Sequence, residues 1–226
     1  MKILLASNSP RRRELLQGLD IPFKVIALPD VDESYPSSLL ASRVAEFIAR
    51  KKAAAYCHYC KQHTSEHTDE QGVILLTADT VVVCDGDVLG KPHDEQEAFH
   101  MLRQLSGKTH QVYTGYCLTP IPLPSSLSPS SCAAISSQHP SSLFTLHSSL
   151  ITGGSVCTDV TFKNLTDEEI HHYIETYKPF DKAGAYGIQE WIGYIGITGI
   201  NGSYYNVMGL PVQRIYEDIK IIHNAL

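Results

Sequence analysis

The sequence predicts an α/β fold with a mixed sheet, and three observations carry that reading. Apolar runs of strand length alternate with stretches of helical spacing along the 226 residues. Gly72–Ala78 is a near-continuous apolar run, the pattern of a strand covered on both faces. Thr109–Leu118 and Ser155–Lys163 alternate as paired strands do. There is no internal repeat, and a chain of this length buries its core as one large domain or two closely packed lobes.

The elements follow in order. Ile3–Ala6 reads as a buried strand that breaks at Ser7-Asn8; Ser9 then suits an N-cap and Pro10 the first position of a helix to about Leu19. Phe23–Ala27 is a strand. Ser37–Tyr56 carries Leu39, Leu40, Val44, Phe47 and Ile48 at helical spacing. After Gly72–Ala78, the segment Thr80–Cys84, Asp85-Gly86 and Val88-Leu89 reads as a tight hairpin. Asp94–Leu105 is a helix stopped by Gly107, and Thr166-Asp167-Glu168-Glu169 is a capping box opening a helix to about Tyr177. A last helix follows Pro211.

Two stretches depart from this order. Cys117–Thr158 contains no Asp, Glu, Lys or Arg, and Pro120–Ser149 is dominated by Ser and Pro, so it reads as a long mobile loop between hairpin strands. In Cys57–Gln71, the residues Cys57, Cys60, His63 and His67 offer a tetrahedral zinc donor set. Both cysteines fall in the last turn of a helix without a second cysteine pair, which favours a polar helix-to-strand loop.

Composition narrows the function. A net charge of -6 excludes a general nucleic-acid coat, for no basic excess exists to neutralise a phosphate backbone. No apolar run reaches the length of a membrane span, and the N-terminus does not read as a signal peptide. Six scattered cysteines in a chain too large to need staples point to reduced thiols in the cytoplasm.

Basic residues are instead locally concentrated. Arg11, Arg12 and Arg13 crowd the first turn of a helix, where the dipole and orphan N–H groups already favour anions. A polyphosphate resolves that conflict; a solvated helix end is the bland alternative. Asp79-Thr80 follows the apolar strand, where α/β proteins place ligands and metals. Lys91 sits in a stiff Gly90-Lys91-Pro92 turn, suited to phosphate as a point charge. Asp181–Gln189 combines an acid, a base, two glycines and an amide able to read a base edge. Asn201-Gly202-Ser203 and Gly209-Leu210-Pro211 read as a loop leading into a helix.

In this order, LASNSPRRRELL, Asp32-Glu33, Lys52-Ala53, TADT, LGKP, LSGKTHQVYTG, TDVTF, DKAGAYGIQ and NGSYYNVMGLP resemble the Maf family of nucleoside triphosphate pyrophosphatases. Only 57–71 and 120–150 fall outside the resemblance, as insertions. It implies one Maf-like domain over 1–226, an elongated, two-lobed mixed α/β fold similar to the inosine-triphosphate-pyrophosphatase group, with the cleft between lobes. The implied reaction is hydrolysis of a nucleoside triphosphate to monophosphate and pyrophosphate with Mg²⁺ or Mn²⁺, with Asp79 as catalytic base. Arg11, Thr80 and Gln189 match the branch that prefers dTTP and UTP. The 7-methyl-GTP branch has Gln after the Asp and Glu in place of the late Gln. The family description also leaves open a non-catalytic regulator of division, modified pyrimidine nucleotides as substrates, and a homodimer.

The expected site follows. Asp79 and Glu33 hold the metal ion, and Arg11, Arg12, Lys52, Lys91 and Lys182 offset the triphosphate charge. Ser7 joins the substrate-binding group, and Asp181 is the second candidate for base or metal ligand.

Overall fold

A computed structural model describes residues 2–27, 31–62, 73–121 and 152–225. The Ser/Pro-rich loop, and His63 and His67 of the zinc reading, lie outside the described residues. Along the chain run β1 (Lys2–Ala6), α1 (Pro10–Gln17), β2 (Phe23–Ile26), α2 (Ala41–Gln62), β3 (Val73–Cys84), β4 (Asp87–Leu89), α3 (Glu95–Leu105) and β5 (Thr109–Ile121). There follow β6 (Thr152–Phe162), α4 (Asp167–Tyr177), a 3-10 turn (Ala183–Ala185), α5 (Trp191–Gly196), β7 (Ile197–Asn201), α6 (Tyr204–Met208) and α7 (Val212–Ala225).

The strands form one mixed sheet of seven, in the order β2-β1-β3-β5-β6-β7, with β4 added to β3. β1 runs parallel to β2 and β3, and the remaining pairings are antiparallel. Strand alternation divides β3 between the two faces of the sheet. Val73 and Leu75 pack with Ala53 and Tyr56 of α2, and Val81 and Val83 with its Val44, Ala45 and Ile48. Ile74, Leu76, Val82 and Cys84 point the other way, into a larger core with Leu16 of α1, Leu102 of α3, Tyr173 of α4 and Ile215 of α7. Helices therefore cover both faces, and each fully buried Leu or Ile there contributes about 1.5–3 kcal/mol.

The local signals act where expected. Ser9 caps α1 with Pro10 in its first turn, and the Thr166–Glu169 capping box closes reciprocally. Asp85 and Gly86 take positive φ of 54° and 92°, as a two-residue hairpin turn requires. Two expectations need correction. α2 begins at Ala41, not Ser37, because Pro36 sets a turn in which the Leu39 N–H bonds the Pro36 carbonyl at 2.9 Å, leaving Leu40 exposed. The apolar run does not end at Asp79: β3 continues unbroken through the residues read as a separate hairpin arm. Cys57 packs among Leu4, Ala6 and Tyr56, as a core residue does.

That continuous strand creates the site. β1 pairs with β3 only as far as Leu76, and β4 takes up the same edge from Val82. Among the described residues, the edge of β3 from Thr77 to Val81 lacks a strand partner, while β5 lines its other side throughout. Asp79 and Thr80 are the two residues of β3 that are not fully buried. α2 crosses directly over this point because Gly115, opposite Asp79 in register, has no Cβ to collide with the Ala45 backbone.

Candidate active site

A cavity of about 390 Å³ opens at the gap in the sheet. Ser7, Arg11, Arg12, Glu33, Lys52, Asp79, Thr80, Lys91, Asp181, Lys182 and Gln189 all line it, brought together from segments spread over the chain. Arg13 is not among its lining residues, and its side chain is exposed.

Asp79 faces α2. The Lys52 ammonium, itself buried, donates to Asp79 Oδ1 at 2.7 Å and reaches Glu33 Oε1 at 2.8 Å. One cation thus holds two carboxylates, and removing it from this partly buried triad would leave like charges facing each other. Partial burial opposes ionisation of Glu33. Lys52, Lys91 and Arg12 outweigh that penalty and hold its carboxyl below the usual range.

Thr80, one residue on, faces the opposite side and meets Arg12. The Arg12 guanidinium donates from Nε to the Gly209 carbonyl at 2.8 Å, from Nη1 to the Ala78 carbonyl at 2.9 Å, and from Nη2 to Thr80 Oγ1 at 3.1 Å. The Ala78 carbonyl lies on the stretch of β3 that lacks its strand neighbour, so Arg12 serves as that edge's donor. Burial lowers the Arg12 pKa and Asp79 offsets only part of that; a guanidinium nonetheless stays a cation. The Thr80 hydroxyl also bonds Thr114 Oγ1 at 3.0 Å, and Thr114 donates to the Asn206 carbonyl at 2.8 Å.

The opposite wall is the loop after α4. Asp181 accepts from Arg11 Nη1 at 2.9 Å and from Lys182 Nζ at 2.7 Å. Burial opposes ionisation of Asp181, but these two cations prevail and keep its carboxyl below the ordinary value. Lys182, buried, also reaches Glu190 Oε1 at 3.1 Å. Gln189 Oε1 is buried without a hydrogen-bond partner among the described residues. Such an orphan acceptor costs about 1–3 kcal/mol unless a ligand donates to it.

Five cationic and three acidic side chains line the cavity, against the -6 of the whole chain. A polyanion therefore meets a local excess of positive charge. Glu33 and Asp79 add hard carboxylate oxygens on one side. Mg²⁺ is commonly held by one or two carboxylates plus substrate phosphates, so this donor set fits a divalent ion brought in with a triphosphate.

Sequence reasoning missed Tyr173, Glu190, Thr114 and Asn206. None lines the cavity, and each acts on residues that do; nothing in their local sequence marks them, because their side-chain partners lie on other elements, up to 94 residues away. For Asn206 the partners are the Val112 carbonyl at 3.1 Å and Thr158 Oγ1 at 3.0 Å.

A family model described as Maf-like protein matches residues 2–221. A dTTP/UTP pyrophosphatase of Phocaeicola vulgatus is 50% identical over 219 residues, covering 97% of this chain and 95% of its own. Proteins of the same description from Porphyromonas gingivalis strain W83 and Flavobacterium johnsoniae are 48% and 41% identical, covering 97% and 96% of this chain and 93% and 92% of their own. Among solved structures, a nucleoside-triphosphatase / dITP/XTP pyrophosphatase from Mycobacterium abscessus aligns over 100% of this chain and 98% of its own, with a TM-score of 0.36 and 14% identity.

Proposed function

The chain belongs to the Maf-like protein family, and from that premise we propose that it hydrolyses dTTP and UTP to the nucleoside monophosphate and pyrophosphate. The single observation that carries this reading is the shared cavity: five cations from four separate segments line, together with Asp79, one space large enough for a nucleotide.

The residues divide the work. Arg11, Arg12, Lys91 and Lys182 bind the triphosphate and spread its charge. Ser7 offers a hydroxyl beside Arg12, and Gln189 offers the base an amide whose oxygen suits the imide N–H of thymine or uracil. Asp79 orients a water and takes its proton as the water oxygen attacks the α-phosphorus. The bond from that phosphorus to the α–β bridging oxygen breaks, and pyrophosphate leaves with its charge shared among the cations. Lys52, donating to Asp79 Oδ1, keeps that carboxylate aimed. Asp79 and Glu33 would hold Mg²⁺ or Mn²⁺, which when bound supplies charge neutralisation at the phosphoryl oxygens.

Among the described residues no helix is long and apolar enough to cross a membrane. We assign the reaction to the cytoplasm, where the free thiols of Cys84 and Cys157 stay reduced.

A pyrophosphate-release assay over a panel of triphosphates, with Mg²⁺, Mn²⁺ or chelator, tests the proposal. Turnover is expected to be fastest with dTTP and UTP and to stop with chelator. A chain that binds nucleotides without releasing pyrophosphate is a sensor, and the proposal fails.

A further inference from the structure

Gln189 sits in a four-residue turn, Gly187 to Glu190, closed by the Glu190 N–H donating to the Gly187 carbonyl at 3.0 Å. Tyr173 of α4, fully buried, touches both ends of that turn through one oxygen. Its hydroxyl oxygen accepts the Gly187 N–H at 3.0 Å and its proton goes to Glu190 Oε2. Gly187 is needed for this closure, because a Cβ there would stand 2.8 Å from Glu190 Cδ. Glu190 in turn pairs with Lys182, and Lys182 with Asp181, which holds Arg11.

The turn is pinned from the other side as well. Gly184, at φ +67°, donates its N–H to the Gly90 carbonyl at 3.0 Å and lies so close to Val82 that a side chain would crowd it. The segment bearing Lys182 and Gln189 is thus fixed to β3 and to the Lys91 turn. Among the described residues, Gln189 makes no bond through Oε1 that could orient it. Its placement depends on the turn that carries it.

Resting on the function proposed above, we infer that Tyr173 is a positioning residue for base selectivity: by stapling both ends of the Gly187–Glu190 turn, it aims the Gln189 amide at the pyrimidine edge. Thymine and uracil present a carbonyl acceptor beside an imide donor, whereas cytosine presents an amino donor and a bare ring nitrogen. A Gln189 held in one position discriminates between these patterns; a loosened one does not.

The test compares kcat/KM for dTTP and dCTP, with the melting temperature recorded alongside. In Tyr173→Phe the dTTP value is expected to fall about tenfold, chiefly through KM, with the dCTP value nearly unchanged, so the ratio collapses. In a Gln189→Ala background the same substitution is expected to leave the ratio unmoved, since the two act as one unit. If Tyr173→Phe does not fold, Glu190→Leu, which removes the acceptor of the staple, takes its place with the same expected collapse. Equal losses on both nucleotides, or an unchanged ratio in a folded variant, overturn the inference. A wild-type chain that releases no pyrophosphate from dTTP refutes the function itself, a result distinct from these.

Discussion

The two walls of the cavity carry the same kinds of side chain, yet only one balances its charge. On the wall built from β3 and α2, Asp79 and Glu33 share the single ammonium of Lys52. On the loop wall, Asp181 and Glu190 are matched by Arg11 and Lys182 in an unbroken chain of ion pairs. The first wall keeps negative charge available for a cation and a reacting water. The second neutralises itself and so holds its members in fixed positions. In the first, Asp79 and Lys52 stand on β3 and α2 while Glu33 comes from the loop before α2; a loop pinned by Tyr173 carries the second.

The comparison predicts an ordered series of losses. Asp79→Asn keeps shape while removing charge and basicity, and kcat should drop by about a hundredfold or more with the melting temperature little changed. Near-normal turnover would assign the chemistry to the other wall. Glu33→Gln should cost about tenfold and raise the Mg²⁺ or Mn²⁺ concentration needed for half-maximal rate, read from metal titrations of the assay. Asp181→Asn releases Arg11 and leaves Lys182 paired with Glu190 alone, without touching the reacting water. Its loss, roughly several-fold, should appear in KM and leave kcat nearly intact. A loss in kcat as large as that of Asp79→Asn would erase the distinction between the walls.

Acid pH supplies the smallest effect. Glu33 and Asp181 both have carboxyls held below their ordinary values in the folded chain, so the unfolded chain takes up protons first. Their contribution to stability is present above the unfolded carboxylate pKa of about 4 and is lost as the pH falls through the lower folded values. The melting temperature should therefore decline across that acid range, and Glu33→Gln and Asp181→Asn should each flatten the decline. An unaltered slope in both variants would show that neither pairing survives in solution.

Local patterning was legible where local forces decide. The caps at Ser9 and Thr166, the Asp85-Gly86 turn and the alternation of β5 and β6 needed only neighbouring residues. α5, β7 and α6 were not legible, being five or six residues each and held by distant partners. α5 packs its Gly196 against Phe162 and Leu165, and α6 hangs on Asn206 bonds to β5 and β6. Asp79 shows the boundary most clearly. Its identity and its company of cations were visible in the chain, but its place was misread as the end of a strand.

What the sequence by itself determined was which side chains take part, since charge, hydroxyl and amide are properties of the residue. What only the tertiary structure decided was where β3 loses a neighbour, because β1 stops at Ala6 and antiparallel β4 ends at Leu89, opposite Val82. Strand pairing is non-local: no residue near Asp79 records how far another strand extends. That unpartnered edge admits Arg12 on one face and Lys52 on the other, and so converts a buried strand into a site.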